Sequence, residues 1–392
     1  MLEVADIIRE YGEDYKKKHK LPSRMIKVMN AIESCRTSKL GGHIDECDNC
    51  GHIKISYNSC RNRHCPKCQG LAKERWLMDR KSDLLPIEYF HMVFTIPDTL
   101  NSLTLRNQKE IYSILFKSVS ETLIELGKDR KYLGADIGFI GILHTWGQNL
   151  MDHPHIHGIV PGGGLSFDTK RWIPSREKFF IPVKVLSRLF RGKFLSYLKD
   201  VYRKDKLKFY GNIQDLSKDK EFNILMDSLY KKEWVVYSKP PFKSPEYVLE
   251  YLGRYTHRVA ISNNRITDIK DGKVTFRYRD YKDGNKNKLM TIEAHEFIRR
   301  FLLHILPDKF VKIRHYGILS NRNRRTKLKR CKEILGISTK ETKKKKSWQE
   351  LLLELTGKDP RKCSCCGVGE MVTKEIIHPY TDKNIQVKKL IA

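Results

Sequence analysis

Apolar and polar positions alternate along this chain in a way that separates strands from helices. Tyr89 to Ile96 reads YFHMVFTI and is closed by Pro97-Asp98, which predicts a strand. Asp136 to Trp146 and His155 to Val160 predict two more, and the short polar connection between them favours an antiparallel pair. Pro161-Gly162-Gly163-Gly164 ends the second of these. Helical periodicity covers Met1 to Lys20, Leu71 to Leu84, Ser102 to Leu126, Val185 to Tyr202 and Ala294 to Leu306. Trp234 to Ser238 and Val274 to Tyr281 read as short strands, whereas residues 165 to 240 are otherwise mixed. Ser244 is a good N-cap, Pro245 fits a first helical turn, and Glu246 suits the positive end of the dipole. That helix is expected to run to about His257, before Ser262-Asn263-Asn264 breaks the pattern. No repeat at solenoid periods is visible.

One predicted strand carries unusual chemistry. In His153-Pro154-His155-Ile156-His157, the alternation of a strand puts His155 and His157 on one face and Ile156 on the other. A lone histidine is usually a hydrogen-bonded core residue. Here His144, His153, His155 and His157 crowd into fourteen positions, which points to a divalent metal. Gln148 is the first choice for a third ligand; His144, Asn149 and Asp152 are alternatives. Tyr247, Tyr251 and Tyr255 recur at helical spacing, so their rings share one face. Such stripes usually pack a core. Arg254, His257 and Arg258, however, place positive charge near Tyr255, which suits a DNA phosphate and not a dry interior. A tyrosine hydroxyl, with a pKa of about 10 in water, needs a nearby cation or a polarised phosphate to act as a nucleophile. A metal on a histidine strand beside a helical tyrosine can cut single-stranded DNA.

Charge sharpens the choice of partner. The chain of 392 residues has length for two or three domains, and its 76 Lys and Arg against 46 Asp and Glu give a formal charge of +30. Such an excess suits a polyanion, and argues against an ordinary enzyme acting on a small molecule. No long apolar run, signal peptide or lipidation box appears, so a cytoplasmic protein without membrane partners is expected. After Arg314 the chain becomes strongly basic (NRNRRTKLKR, then Lys343 to Lys346).

Six of the ten cysteines lie between Cys35 and Cys68 and three between Cys363 and Cys366. Cys47-x2-Cys50 and Cys65-x2-Cys68 form two knuckles, the arrangement of a four-thiolate zinc site. His43, Cys60, His64 and Cys35 are spare: they can replace a ligand or build a second site. Cys363-x2-Cys366 looks like half a knuckle pair, to which Cys365 and His378 could add.

With these residues assembled, the chain resembles the transposases of the insertion sequence ninety-one family, two-tyrosine HUH proteins of rolling-circle elements. The resemblance spans about residues 25 to 330. It rests on CRTSKLGGHIDECDNCGHIKISYNSCRNRHCPKCQG, LHTWGQNLMDHPHIHGIVPGGG, YLGRYTHRVAISNNRI, FRYRDYKDG, EFIRRFLLHILP and IRHYGILSNR, in that order. It implies an α+β fold, with a central antiparallel sheet flanked by helices. The expected parts are a zinc-binding module at residues 1–75, a nuclease domain at 85–265 and a basic C-terminal region at 266–392, for which DNA binding is one role; the segment after Arg330 matches less well, and its role stays open. The resemblance further implies that His155 and His157 hold Mg2+ or Mn2+, that Tyr251 and Tyr255 are the nucleophiles, and that single-stranded DNA at element ends and target is the substrate. Tyr247 falls outside the two-tyrosine pattern and is expected to pack. A rolling-circle replication initiator would share this chemistry. A zinc-dependent DNA-binding regulator would share only the charge.

Overall fold

The computed structural model describes residues 2–176, 181–242, 247–248, 253, 260–280, 283–337 and 346–379. In chain order they form α1 (Val4–Lys18), α2 (Ser23–Glu33), β1 (Gly42–Cys47), β2 (Ile53–Tyr57), α3 (Gln69–Lys81), β3 (Tyr89–Thr95), α4 (Asn101–Arg106), α5 (Gln108–Lys128), β4 (Gly138–Trp146), β5 (Asp152–Pro161), β6 (Gly163–Leu165), β7 (Trp172–Pro174), α6 (Val183–Arg203), α7 (Asp219–Lys231), β8 (Val236–Phe242), β9 (Ile266–Lys270), β10 (Lys273–Asp280), β11 (Lys286–Glu293), a helix at Ala294–Leu303, β12 (Ile313–Gly317), helices at Lys329–Ile334 and Trp348–Thr356, and β13 (Met371–Ile377). The fold class is α+β, as the family resemblance implies.

The chain divides into two compact units. One contains Leu77–Thr256 and Leu306–Glu341, and is built on a fully antiparallel sheet of order β12-β4-β5-β3-β8. One face of this sheet is apolar: Phe94, Phe139, Leu143 and Ile156 are buried in the main core. The helices α5 and α6 cover that face, because their apolar positions recur every three or four residues. Ile111, Leu115, Val119 and Leu123 do this on α5, and Leu186, Phe190 and Phe194 on α6. Phe94 meets Phe190 edge to face, with ring centroids 5.3 Å apart, a favoured aromatic geometry. The opposite face of the sheet carries the histidines.

The second unit contains Met1–Trp76, His257–Ile305 and Thr342–Ala392. It holds α1 and α2, a β11-β10-β9 meander and a sheet of order β13-β1-β2. The expected single region 266–392 is therefore corrected: strand pairing divides it. β12 joins β4 in the first unit, whereas β13 joins β1 in the second. Among the described residues no helix is long and apolar enough to cross a membrane.

Candidate active site and thiolate centres

On β5, Ile156 turns into the core with no exposed surface, so His155 and His157 both face the other way. β4 supplies His144 directly opposite His155. All three are buried, and their ligand nitrogens lie within 4.8 Å of one another. His155 Nε2 and His157 Nε2 are 3.0 Å apart. Two nitrogens at that spacing can occupy neighbouring positions, about 90° apart, around a cation bound at about 2.1 Å.

The back of each imidazole is anchored. His155 Nδ1 is 2.6 Å from the His153 carbonyl oxygen, which can only accept, so the proton sits on Nδ1 and Nε2 offers its lone pair. His157 Nδ1 is 2.9 Å from His91 Nε2, and the two rings stack with centroids 5.2 Å apart. Trp146 stacks on His144 at 4.8 Å. Burial pushes His155 down to about 4 and His91 down to about 3, so both are neutral at pH 7, the form in which imidazole ligates. Metal-bound histidines generally need such an outer partner to fix their ring and tautomer. The donor set thus fits a divalent cation.

Of the other candidates, Gln148 and Asn149 lie in the half-buried turn after β4. Asn149 Oδ1 accepts from the Met151 backbone N–H at 3.2 Å. Asp152 pairs across from Trp146. Its carboxylate oxygens are shut off from solvent with no hydrogen-bond partner among the described residues, and burial pushes its carboxyl up to about 7. Tyr251, Tyr255, Arg254, His257 and Arg258 lie outside the described residues. Tyr247 is described, and the expectation that it packs is corrected. It is 59% exposed, because Val248 beside it takes the buried position. His91 was not singled out by its sequence context, a single histidine inside an apolar run. Only strand register brings it diagonal to His157, through Ile159 and Val93.

The cysteines form two quartets, Cys35/Cys60/Cys65/Cys68 and Cys47/Cys50/Cys363/Cys366. This corrects the single set Cys47, Cys50, Cys65 and Cys68. The Cys47–Cys50 knuckle follows β1, and β13, hydrogen-bonded to β1, brings the Cys363–Cys366 knuckle to it. Cys65 and Cys68 meet Cys35, which follows α2, and Cys60. Neighbouring sulfurs stand 3.6 Å apart in the first set and 3.7 Å in the second. Tetrahedral zinc with bonds of about 2.3 Å places its sulfurs about 3.8 Å apart, so both fit. Cys60, a spare in the sequence, is a member. His43 instead lies 3.2 Å from the Asp45 carboxylate, and His64 Nε2 accepts from Arg63 Nε at 3.4 Å. The Cys60 thiol holds Cys35 well below the usual thiol range, and the backbone N–H of Gly369 brings Cys366 down to about 6.

Comparison with known proteins agrees with this inventory. Residues 138–327 match the family described as "Putative transposase", and residues 7–96 match "Transposase zinc-binding domain". "Putative transposase y4qJ" of Sinorhizobium fredii (strain NBRC 101917 / NGR234) is 50% identical over 383 residues, covering 97% of this chain and 96% of that protein. "Transposase for insertion sequence element IS801" of Pseudomonas savastanoi pv. phaseolicola is 27% identical over 354 residues, covering 90% and 84%. No solved structure matches. The class these features define is a DNA-acting transposase. Within it, the chain belongs to the insertion sequence ninety-one family.

Proposed function

We propose that this transposase nicks and rejoins single-stranded DNA through a 5′-phosphotyrosine intermediate, in rolling-circle transposition. The observation that carries this reading is the pair of back-anchored imidazoles, His155 and His157, whose Nε2 atoms converge at 3.0 Å. His144, opposite His155, takes the third ligand position in preference to Gln148. Mg2+ or Mn2+ bound there supplies positive charge to polarise the scissile phosphate.

The chain's own residues do the rest. The hydroxyl of Tyr251 or Tyr255 attacks phosphorus, its proton passing through water to the departing 3′ oxygen. A tyrosine O–P bond forms to the 5′ side, and the bond to the 3′ oxygen breaks, leaving a 3′-hydroxyl. Attack by another 3′-hydroxyl reverses the exchange and releases the tyrosine. One phosphodiester is traded for another, so rejoining needs no ATP. Two tyrosines allow one to keep donor DNA while the other cuts. Arg254, His257 and Arg258 neutralise the phosphate beside Tyr255. The freed 3′ end primes replication in the bacterial cytoplasm.

The test is covalent trapping on an end-labelled single strand in Mg2+. Protein should be captured on the 5′ side of the nick. His155→Ala with His157→Ala should abolish capture while leaving most charge-driven binding. Tyr251→Phe with Tyr255→Phe should eliminate it, and Tyr247→Phe should be silent. A double-histidine variant that cleaves near the parent rate would show the assignment to be wrong.

A further inference from the structure

We infer that Cys47, Cys50, Cys363 and Cys366 form a second zinc site, one that fastens the C-terminal segment onto the N-terminal module. The inference deepens the zinc-binding reading of that module and is independent of the strand-transfer chemistry. The match to a zinc-binding domain ends at residue 96, so it contains only half of this quartet.

Four independent features converge on the site. The sulfurs lie at the edge length of a tetrathiolate zinc centre: Cys47 to Cys366 and Cys50 to Cys363 are both 3.7 Å, far beyond the 2.05 Å of a disulfide. Backbone N–H groups point at the sulfurs: Cys50 at Cys47 (3.5 Å), Cys365 at Cys363 (3.3 Å) and Gly369 at Cys366 (3.4 Å). Such donors stabilise thiolates, the form that ligates zinc. Gly369 also passes so close to Cys47 that a Cβ there would collide with its Sγ, so only glycine lets the two knuckles face each other.

The surrounding backbone is interlocked in the same sense. β13 pairs with β1 from Gly42↔Ile377 to Cys47↔Met371. Just beyond, the Asp48 N–H donates to the Glu370 carbonyl at 3.1 Å, and the Glu370 N–H donates to Asp48 Oδ1 at 2.8 Å. Thr373 Oγ1 donates to Asp45 Oδ1 at 2.7 Å. β13 is nonetheless a poor strand to hold by burial alone, since most of its residues are exposed. The metal supplies what apolar burial does not. Cys50 and Cys363 are 313 residues apart, so the bond closes a very long loop, where cross-linking restricts the unfolded chain most.

Metal analysis of the purified full-length protein tests this. The parent should carry two zinc ions per chain. Cys363→Ser with Cys366→Ser should carry one, and Cys365→Ser, outside the quartet, should keep two. In the double variant, hydrogen exchange at residues 371–377 and 42–47 should rise at least tenfold. Cobalt replacement in the unmutated chain gives a readout that does not depend on a variant folding. Thiolate-to-cobalt absorption should correspond to eight cysteines. Absorption for four cysteines, or two zinc ions retained in the double variant, would overturn the inference. A parent with one zinc insensitive to Cys363 and Cys366 removes this site alone. A parent with none removes the zinc reading of the whole module.

Discussion

His91 touches no substrate in the proposed reaction, yet it decides what His157 can do. When His157 offers the lone pair of Nε2 to a cation, its Nδ1 must carry the proton, and His91 Nε2 is the acceptor 2.9 Å away. His91→Leu should therefore weaken Mn2+ binding about 10- to 100-fold, by calorimetry or paramagnetic relaxation. His91→Gln, whose side-chain oxygen can take the place of Nε2, should restore most of it. Equal affinity in parent and Leu variant would reduce His91 to packing. At this scale the sequence was legible where residues act through near neighbours. Ile156 inward with His155 and His157 outward follows from alternation alone. His91, His144 as the residue opposite His155, and the partners of Cys47 depend on which strands lie side by side, which spacing does not encode.

Elements with a strong apolar period emerged at nearly their predicted bounds in β3, β4 and α6, whereas β5 begins three residues early, at Asp152, and the helix expected over Ser102 to Leu126 is broken at Asn107 into α4 and α5. β12 and β13 were not anticipated, because partly exposed strands lack clean alternation. β12 is held instead by backbone geometry at its end. Gly317 lies opposite Gly138, has φ of +59°, and a Cβ there would strike the Ile137 carbonyl oxygen. Gly317→Ala should cost roughly 1–3 kcal/mol for the left-handed backbone, and more for the clash. Urea unfolding of the purified variant measures this. A loss below 0.5 kcal/mol, as an estimate for an unremarkable surface change, would mean that β12 docks without needing glycine.

For the whole molecule the excess charge of +30 is the dominant fact, but its parts have different duties. In the basic run after β12, Arg324 is spent on structure: its Nε donates to Asp83 Oδ1 at 2.9 Å, beside the Arg80–Asp83 pair, also 2.9 Å. Lys327 pairs with Asp136. Arg322 and Arg325 instead stand exposed, with no ion pair among the described residues, and are available to phosphates. On single-stranded DNA each phosphate contact adds about 0.7 to the slope of log K against log salt. Arg322→Ala with Arg325→Ala should therefore flatten that slope by about 1.4 and weaken binding at low salt, with Tm unchanged. Arg324→Ala should do the reverse, lowering Tm while leaving the slope nearly intact, because it leaves the partly buried Asp83 paired with Arg80 alone. Binding titrations at several salt concentrations, set beside thermal melts, separate the two roles. A slope unmoved by the Arg322 and Arg325 changes would mean that DNA engages another part of the basic surface.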